Sequence, residues 1–211
     1  MISQEVIEQV IKQLERNNFE VFLAENTLAA KQVFETRIIP GLEFASASYG
    51  DSMTMQATNV LDLLKTMPGI EFIDTFNPND TRKEQIQNRK RALTADLFLT
   101  GTNAITMNGQ LVNLDMVGNR VAPVIFGPRN VVLFVGTNKL VENLDEAFKR
   151  IKTIAPQNVR RHEQLKTPCQ VTGVCHDCRS PQRICNSWTI IEKSYPPKRI
   201  KIILINQELG L

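Results

Sequence analysis

Apolar residues recur every four positions at the start of the chain. Ile2, Val6, Val10 and Leu14 stand among Glu5, Glu8, Lys12, Glu15 and Arg16, a spacing that predicts an amphipathic helix. Glu20 to Leu23 then reads as a short strand, and Thr27 to Thr36 as a helix with Leu28, Val33 and Phe34 toward the core. Phe44 to Tyr49 runs into the turn residues Gly50-Asp51-Ser52, and Met53 to Thr66 carries Met53, Ala57, Val60, Leu61 and Leu64 on one side, so the unit is strand, glycine turn, helix. Pro68-Gly69 stops that helix. Glu71 to Phe76 predicts a strand, Asp80 to Leu93 a highly charged helix, and Ala95 to Thr100 another strand. Strands alternating with helices imply crossover connections and hence an α/β fold with a mainly parallel open sheet covered on both faces.

The middle of the chain breaks this rhythm. Ala104-Ile105-Thr106 and Leu111 to Leu114 flank Asn108-Gly109, a strong signal for an inserted antiparallel hairpin. Gly118 to Pro123 turns toward a short helix, Asn130 to Val135 reads as a buried strand, and Val141 to Ile154 as a helix with Leu144, Phe148 and Ile151 at core spacing. From Pro156 to Lys166 the chain is polar and basic, and the apolar run Ile200 to Asn206 is expected to return to the sheet. Residues 1–211 are therefore expected to form one domain, with 161–198 as a cysteine-rich excursion within it.

Composition narrows the function classes. Of 211 residues, 42% are hydrophobic and 22% charged, as in ordinary globular chains, and 25 Lys and Arg against 22 Asp and Glu give a formal charge of +3. The basic residues are scattered, which argues against nucleic acid as a partner. The longest apolar runs are strand-sized, far below the roughly 20 residues of a transmembrane helix. No membrane insertion is expected. The amphipathic start lacks the apolar block of a secretory signal, so a cytoplasmic location is expected.

Cys169, Cys175, Cys178 and Cys185 form a C-x5-C-x2-C-x6-C pattern punctuated by Gly173 and Pro181. In a reducing compartment such a cluster favours metal ligation over disulfides. Four thiolates suit an iron–sulfur cluster, with Zn(II) as the alternative. Only one short C-x2-C arm is present, whereas structural zinc sites usually pair two, which tilts the reading toward the cluster. Trp188 is expected to anchor the loop on the domain surface, and His176 to be a solvated neighbour of the thiols.

Four glycine turns fall where a parallel sheet binds ligands, at the carboxyl ends of its strands. They contain Gly50, Ser52 and Thr54; Gly101, Thr102 and Asn103; Gly118, Asn119 and Arg120; and Gly136 with Lys139. Each turn alone is explained by ordinary turn chemistry. Together they could hold a small anionic metabolite, with Arg120 and Lys139 supplying charge. No serine sits in a nucleophile elbow and both histidines lie in the late polar segment, so hydrolase chemistry is poorly supported and no catalytic residue is assigned. Asp51 and Asp115 are the nearest acids, more commonly turn caps than bases.

The run from Leu99 to Ile105, then Gly109 to Asn113, Gly118 to Val121, Gly127-Pro128 and Val135 to Lys139, resembles the LUD domain family of lactate utilisation proteins, LutC and YkgG-like. Thr167-Pro168-Cys169, Gly173, Cys175, Cys178 and Arg183 to Asn186 resemble a cysteine-tailed branch of it. The resemblance implies a fold similar to the NagB, ribose-5-phosphate isomerase and CoA-transferase group. It also implies an accessory redox role in oxidising lactate or a related 2-hydroxy acid, with iron–sulfur redox proteins as partners; a homo-oligomer is compatible with it. One departure stands out. Many LUD domains carry an acidic residue before the hairpin glycine, where this chain has Met107-Asn108, so glutamate-based acyl transfer is not expected. The competing reading is a non-catalytic metabolite-binding or scaffold protein whose tail is stapled by zinc or free thiols.

Overall fold

The computed structural model describes residues 2–211. Ten strands follow the chain: β1 (Glu20–Ala24), β2 (Ser46–Tyr49), β3 (Glu71–Ile73), β4 (Leu97–Thr100), β5 (Ala104–Thr106), β6 (Leu111–Asp115), β7 (Asn130–Gly136), β8 (Leu140–Val141), β9 (Ser187–Ile191) and β10 (Ile200–Ile205). The helices between them are α1 (Gln4–Arg16), α2 (Thr27–Val33), α3 (Met53–Gln56), α4 (Val60–Thr66), α5 (Arg82–Arg91), α6 (Ala122–Ile125), α7 (Leu144–Arg160) and α8 (Pro168–Thr172). Six strands form an entirely parallel sheet in the order β1-β10-β7-β4-β2-β3. The expected α/β architecture is present. The expected return of the last apolar run is also present, since β10 lies inside the sheet between β1 and β7.

Burial explains why these runs became central strands. Every residue of β4 and β10 is buried, as are all but the first of β7, which suits strands covered on both faces. Alternate side chains serve opposite cores: Leu97, Leu99, Val132, Phe134, Ile203 and Ile205 pack on one face, while Phe98, Val131, Leu133, Ile202 and Leu204 pack on the other. The second core also receives α1, through Ile7, Val10 and Leu14 rather than through Val6.

The hairpin forms as expected, with Ala104 opposite Val112 and Ile105 opposite Leu111. It belongs to a second, four-stranded sheet in the order β8-β5-β6-β9. Strand β9 was not anticipated. Its side chains are mostly exposed or half-exposed, so it lacks the apolar alternation that marks a strand, and it forms because β6 offers an antiparallel partner from Leu111 to Asp115. Trp188 sits on β9 and meets Phe148 edge-to-face with ring centroids 4.8 Å apart, anchoring the segment as expected.

Several helices depart from their expected bounds, α2 among them, which ends at Val33 with Leu28 exposed rather than toward the core. The run Met53 to Thr66 is two helices, because Asn59 adopts φ 54°, the left-handed region that asparagine tolerates better than most residues. Helix α7 continues to Arg160, through Pro156. Ala155, Pro156 and Val159 are buried on it, so the apolar face outlasts the local polarity of the sequence. None of the helices among the described residues is long and apolar enough to cross a membrane.

Candidate functional site

Strands β2, β4 and β7 are neighbours in the sheet, so the turns after them meet at one edge. The approach is tight. A Cβ on Gly101 would lie 2.5 Å from Ser52 Oγ, and one on Gly50 would lie 2.8 Å from Arg120 Cγ. Glycine at both positions lets the turns close on each other. At this edge lies a cavity of about 400 Å³ whose wall includes Ser52, Gly101, Thr102, Asn103, Asn119, Arg120 and Lys139. Gly50 and Thr54 are not on the wall, but they support it from behind through their contacts with Arg120 and Lys139.

Arg120 is the structural centre of the cavity. Its Nε lies 3.2 Å from Asp115 Oδ2, both side chains being nearly buried. Its Nη1 donates to Asn113 Oδ1 at 2.7 Å and to Gly101 O at 3.3 Å, and its Nη2 donates to Asn103 Oδ1 at 2.8 Å and to Leu114 O at 3.1 Å. Burial lowers Arg120 from the ordinary guanidinium range, opposed by the carboxylates of Asp115 and Asp51. All five N–H groups therefore have protein acceptors, and Arg120 locks the β4 turn to the hairpin.

Lys139 differs in kind. It is only 6% exposed, and its Nζ donates to Thr54 Oγ1 at 2.9 Å. Among the described residues no carboxylate pairs with it. Burial first, then the nearby charges of Arg150 and Arg120, push it down to about 7.

Arg150 projects from α7 to the same wall. Its Nε donates to Asn138 O at 3.0 Å and its Nη1 to Asn103 O at 2.8 Å. Its Nη2 has no protein acceptor among those bonds, and burial lowers its pKa as well. Arg89 enters the wall from α5, over the Phe76 ring at 5.2 Å, with a buried Nε that has no partner. Asp51 is matched by Arg161 at 3.4 Å. With Asp115 and Asp51 both occupied, Lys139, Arg150 and Arg89 leave the cavity with a surplus of positive charge.

Arg150, Arg89 and Arg161 escaped the sequence reading. A signal existed for two of them: Arg150, Ile154, Asn158 and Arg161 recur at helical spacing along α7 and its end, and all four line the cavity. Arg89 carried no such signal, being one of several cations on a helix without a buried side chain.

The cysteine loop meets this cavity. Ile184 and Cys185 form part of its wall, whereas Cys169, Cys175 and Cys178 do not. All four thiols are free and partly buried. They are near neighbours: burial, then Cys175, Cys169 and Cys178, push the Cys185 thiol up to about 11 against the opposing pull of Arg183. Arg183 ties the loop from within, donating from Nε to Cys185 O at 3.0 Å and from Nη1 to Cys178 O. Among the described residues, no three His, Cys, Asp or Glu side chains converge tightly enough to hold a metal ion as they stand. His176 Nε2 pairs with Thr172 Oγ1 at 2.8 Å.

A family model described as the LUD domain matches residues 7–205. A solved structure, a DUF162 family protein from Deinococcus radiodurans at 1.70 Å resolution, is similar in fold. Its TM-score is 0.53 at 13% sequence identity, covering 98% of this chain and 100% of that one. No curated protein matches the chain.

Proposed function

Because the chain belongs to the LUD domain family, we propose that it is an accessory redox protein of lactate or related 2-hydroxy-acid utilisation, with an iron–sulfur cluster held beside a small-anion cleft. Membership points to the connection with lactate utilisation. The observation that carries the finer reading is that Cys185 and Lys139 line one cavity. The cysteine loop is thus part of the wall against which a small anion would lie.

In this reading Cys169, Cys175, Cys178 and Cys185 hold the cluster, which supplies one-electron transfer when bound. The chain's own residues do the rest. Lys139 and Arg150 attract a carboxylate, since both present donors that no protein carboxylate neutralises. Arg120 holds the β4 turn and the hairpin in place, and Arg183 shapes the loop around the thiols. Redox partner proteins that exchange electrons with the cluster belong to the same proposal.

Anaerobic purification followed by iron, sulfide and zinc analysis tests it. The expected result is a brown protein containing iron and acid-labile sulfide, with visible absorption that bleaches on reduction by dithionite. A colourless protein with one zinc per chain would overturn the redox role and favour a zinc-stapled binding protein instead.

A further inference from the structure

Two lysines of this chain are almost fully buried, and their surroundings are opposite. Lys201 is 7% exposed. Its Nζ has Asn130 Oδ1 at 3.1 Å, Lys198 O at 2.8 Å and the carboxylate of Glu20 at 3.7 Å. That is a satisfied ammonium. Among the described residues Lys139 has a single protein acceptor and no counter-ion, and it lines a cavity, with Gly210 of the C-terminal segment close to its Nζ.

The hydrogen bond to Thr54 has a definite sense. Thr54 Oγ1 donates its only proton to Leu209 O at 3.0 Å, so toward Lys139 it can only accept. The nitrogen therefore keeps a lone pair, once neutral, that this hydroxyl does not occupy. Arg150 lines the same cavity, is bonded through Nε to the carbonyl of Asn138, the residue before Lys139, and holds Nη2 free after that bond and the one to Asn103. An amine with an unengaged lone pair beside a guanidinium with an unengaged edge matches a molecule that carries a carbonyl next to a carboxylate.

We propose that Lys139 captures a 2-oxo acid covalently as a Schiff base, with Arg150 holding its carboxylate. This rests on the anion-cleft reading above and names its ligand class. The lone pair of Nζ adds to the ligand's carbonyl carbon, the C=O π pair moves to oxygen, and that oxygen takes a proton given up by nitrogen. The resulting carbinolamine loses its hydroxyl as water, with a proton drawn from solvent, and the C=N bond forms. No electrons leave or enter, so no oxidant is needed. The depressed basicity of Lys139 leaves a substantial fraction as free amine near neutral pH. A three-carbon acid leaves part of the cavity unfilled, so its apolar wall of Met53, Ile154 and Leu165 accommodates a longer aliphatic chain.

The test uses the purified full chain with pyruvate and sodium cyanoborohydride at neutral pH, read by intact mass and peptide mapping. One reduced pyruvate adduct per chain is expected, on Lys139, with Lys201 and the exposed lysines unmodified. Lys139→Arg and Lys139→Gln should abolish the adduct; the arginine variant keeps the positive charge and is checked for folding by circular dichroism. Arg150→Ala should raise the pyruvate concentration needed for half-maximal trapping by about 10-fold or more. Calorimetric binding of pyruvate without trapping on Lys139 overturns the covalent step and leaves the cleft reading standing. Absence of both binding and trapping overturns both.

Discussion

The strand-end cavity and the cysteine loop touch each other, yet they are held by different physics. At the cavity, Gly50 and Gly101 directly follow β2 and β4, strands whose side chains are buried in all but one position, and the guanidinium of Arg120 fixes three segments at once. Across the loop and the strand that follows it, residues 161–193, Thr167 is the one buried residue, and Val171 is 85% exposed. The loop's order comes from polar ties: Arg183 to the carbonyls of Cys178 and Cys185, Asn186 to Met116 O at 3.0 Å, and Lys152 near Asp177 at 3.6 Å. Exposed ties of this kind contribute little individually. A region whose apolar packing is limited to partly buried side chains such as Trp188 and Ile191 gains little from folding on its own, whereas a bound metal supplies folding free energy directly. The contrast teaches that the cavity is shaped by the core, whereas the loop rests mainly on polar ties, to which a metal bound as proposed above would add.

Substitutions on the two sides should therefore separate. The largest expected loss is from Phe134→Ala, which empties a fully buried position in contact with Phe34 and should lower unfolding free energy by about 3–5 kcal/mol in urea titrations. Arg120→Ala leaves Asp115 buried without its partner and should cost about 3 kcal/mol, together with loss of ligand binding, read by calorimetry.

Lys139→Met tests the buried charge through pH. Folded Lys139 releases its proton near pH 7, whereas the ordinary value is 10.5. Between these values the unfolded chain binds more protons than the folded one, so this lysine makes stability rise with pH across that window and leaves the folded state most penalised below pH 7. The methionine variant should lose that slope and be more stable than the parent at pH 6, by on the order of 2 kcal/mol. Arg150 and Arg120, which also lower Lys139, stay charged throughout.

The smallest expected effect is Cys178→Ser in metal-free protein. Its unfolding free energy should change by under about 0.5 kcal/mol, while the metal-loaded protein should lose most of the stabilisation that the metal provides. Equal losses in both forms would place the thiol in a packing role and erase the distinction between the two regions.

Much of the sheet was legible because burial on both faces writes continuous apolar runs such as Val131 to Val135 and Ile202 to Ile205. The hairpin was legible because Asn108-Gly109 favours positive φ, and Gly109 adopts 75°. The split at Asn59 was not, since the apolar spacing continues across it and only the backbone reverses. Strand β9 was hidden by its exposure, and the last turn of α7 by Pro156, which local rules treat as a stop. For the site, of the glycines in the four turns only Gly101 lines the cavity. The asymmetry between Arg120, saturated by neighbours, and Lys139, left with one, is set by side chains up to 85 positions apart and leaves no trace in either local sequence.

The central claim is that thiols and cavity form one site. Electron paramagnetic resonance of the anaerobically purified, dithionite-reduced protein, recorded with and without pyruvate, tests it directly. A cluster signal whose g values shift on adding pyruvate, and fail to shift in Lys139→Gln, is the predicted result. An unchanged spectrum in the presence of demonstrated pyruvate binding, or no cluster signal at all, would contradict it.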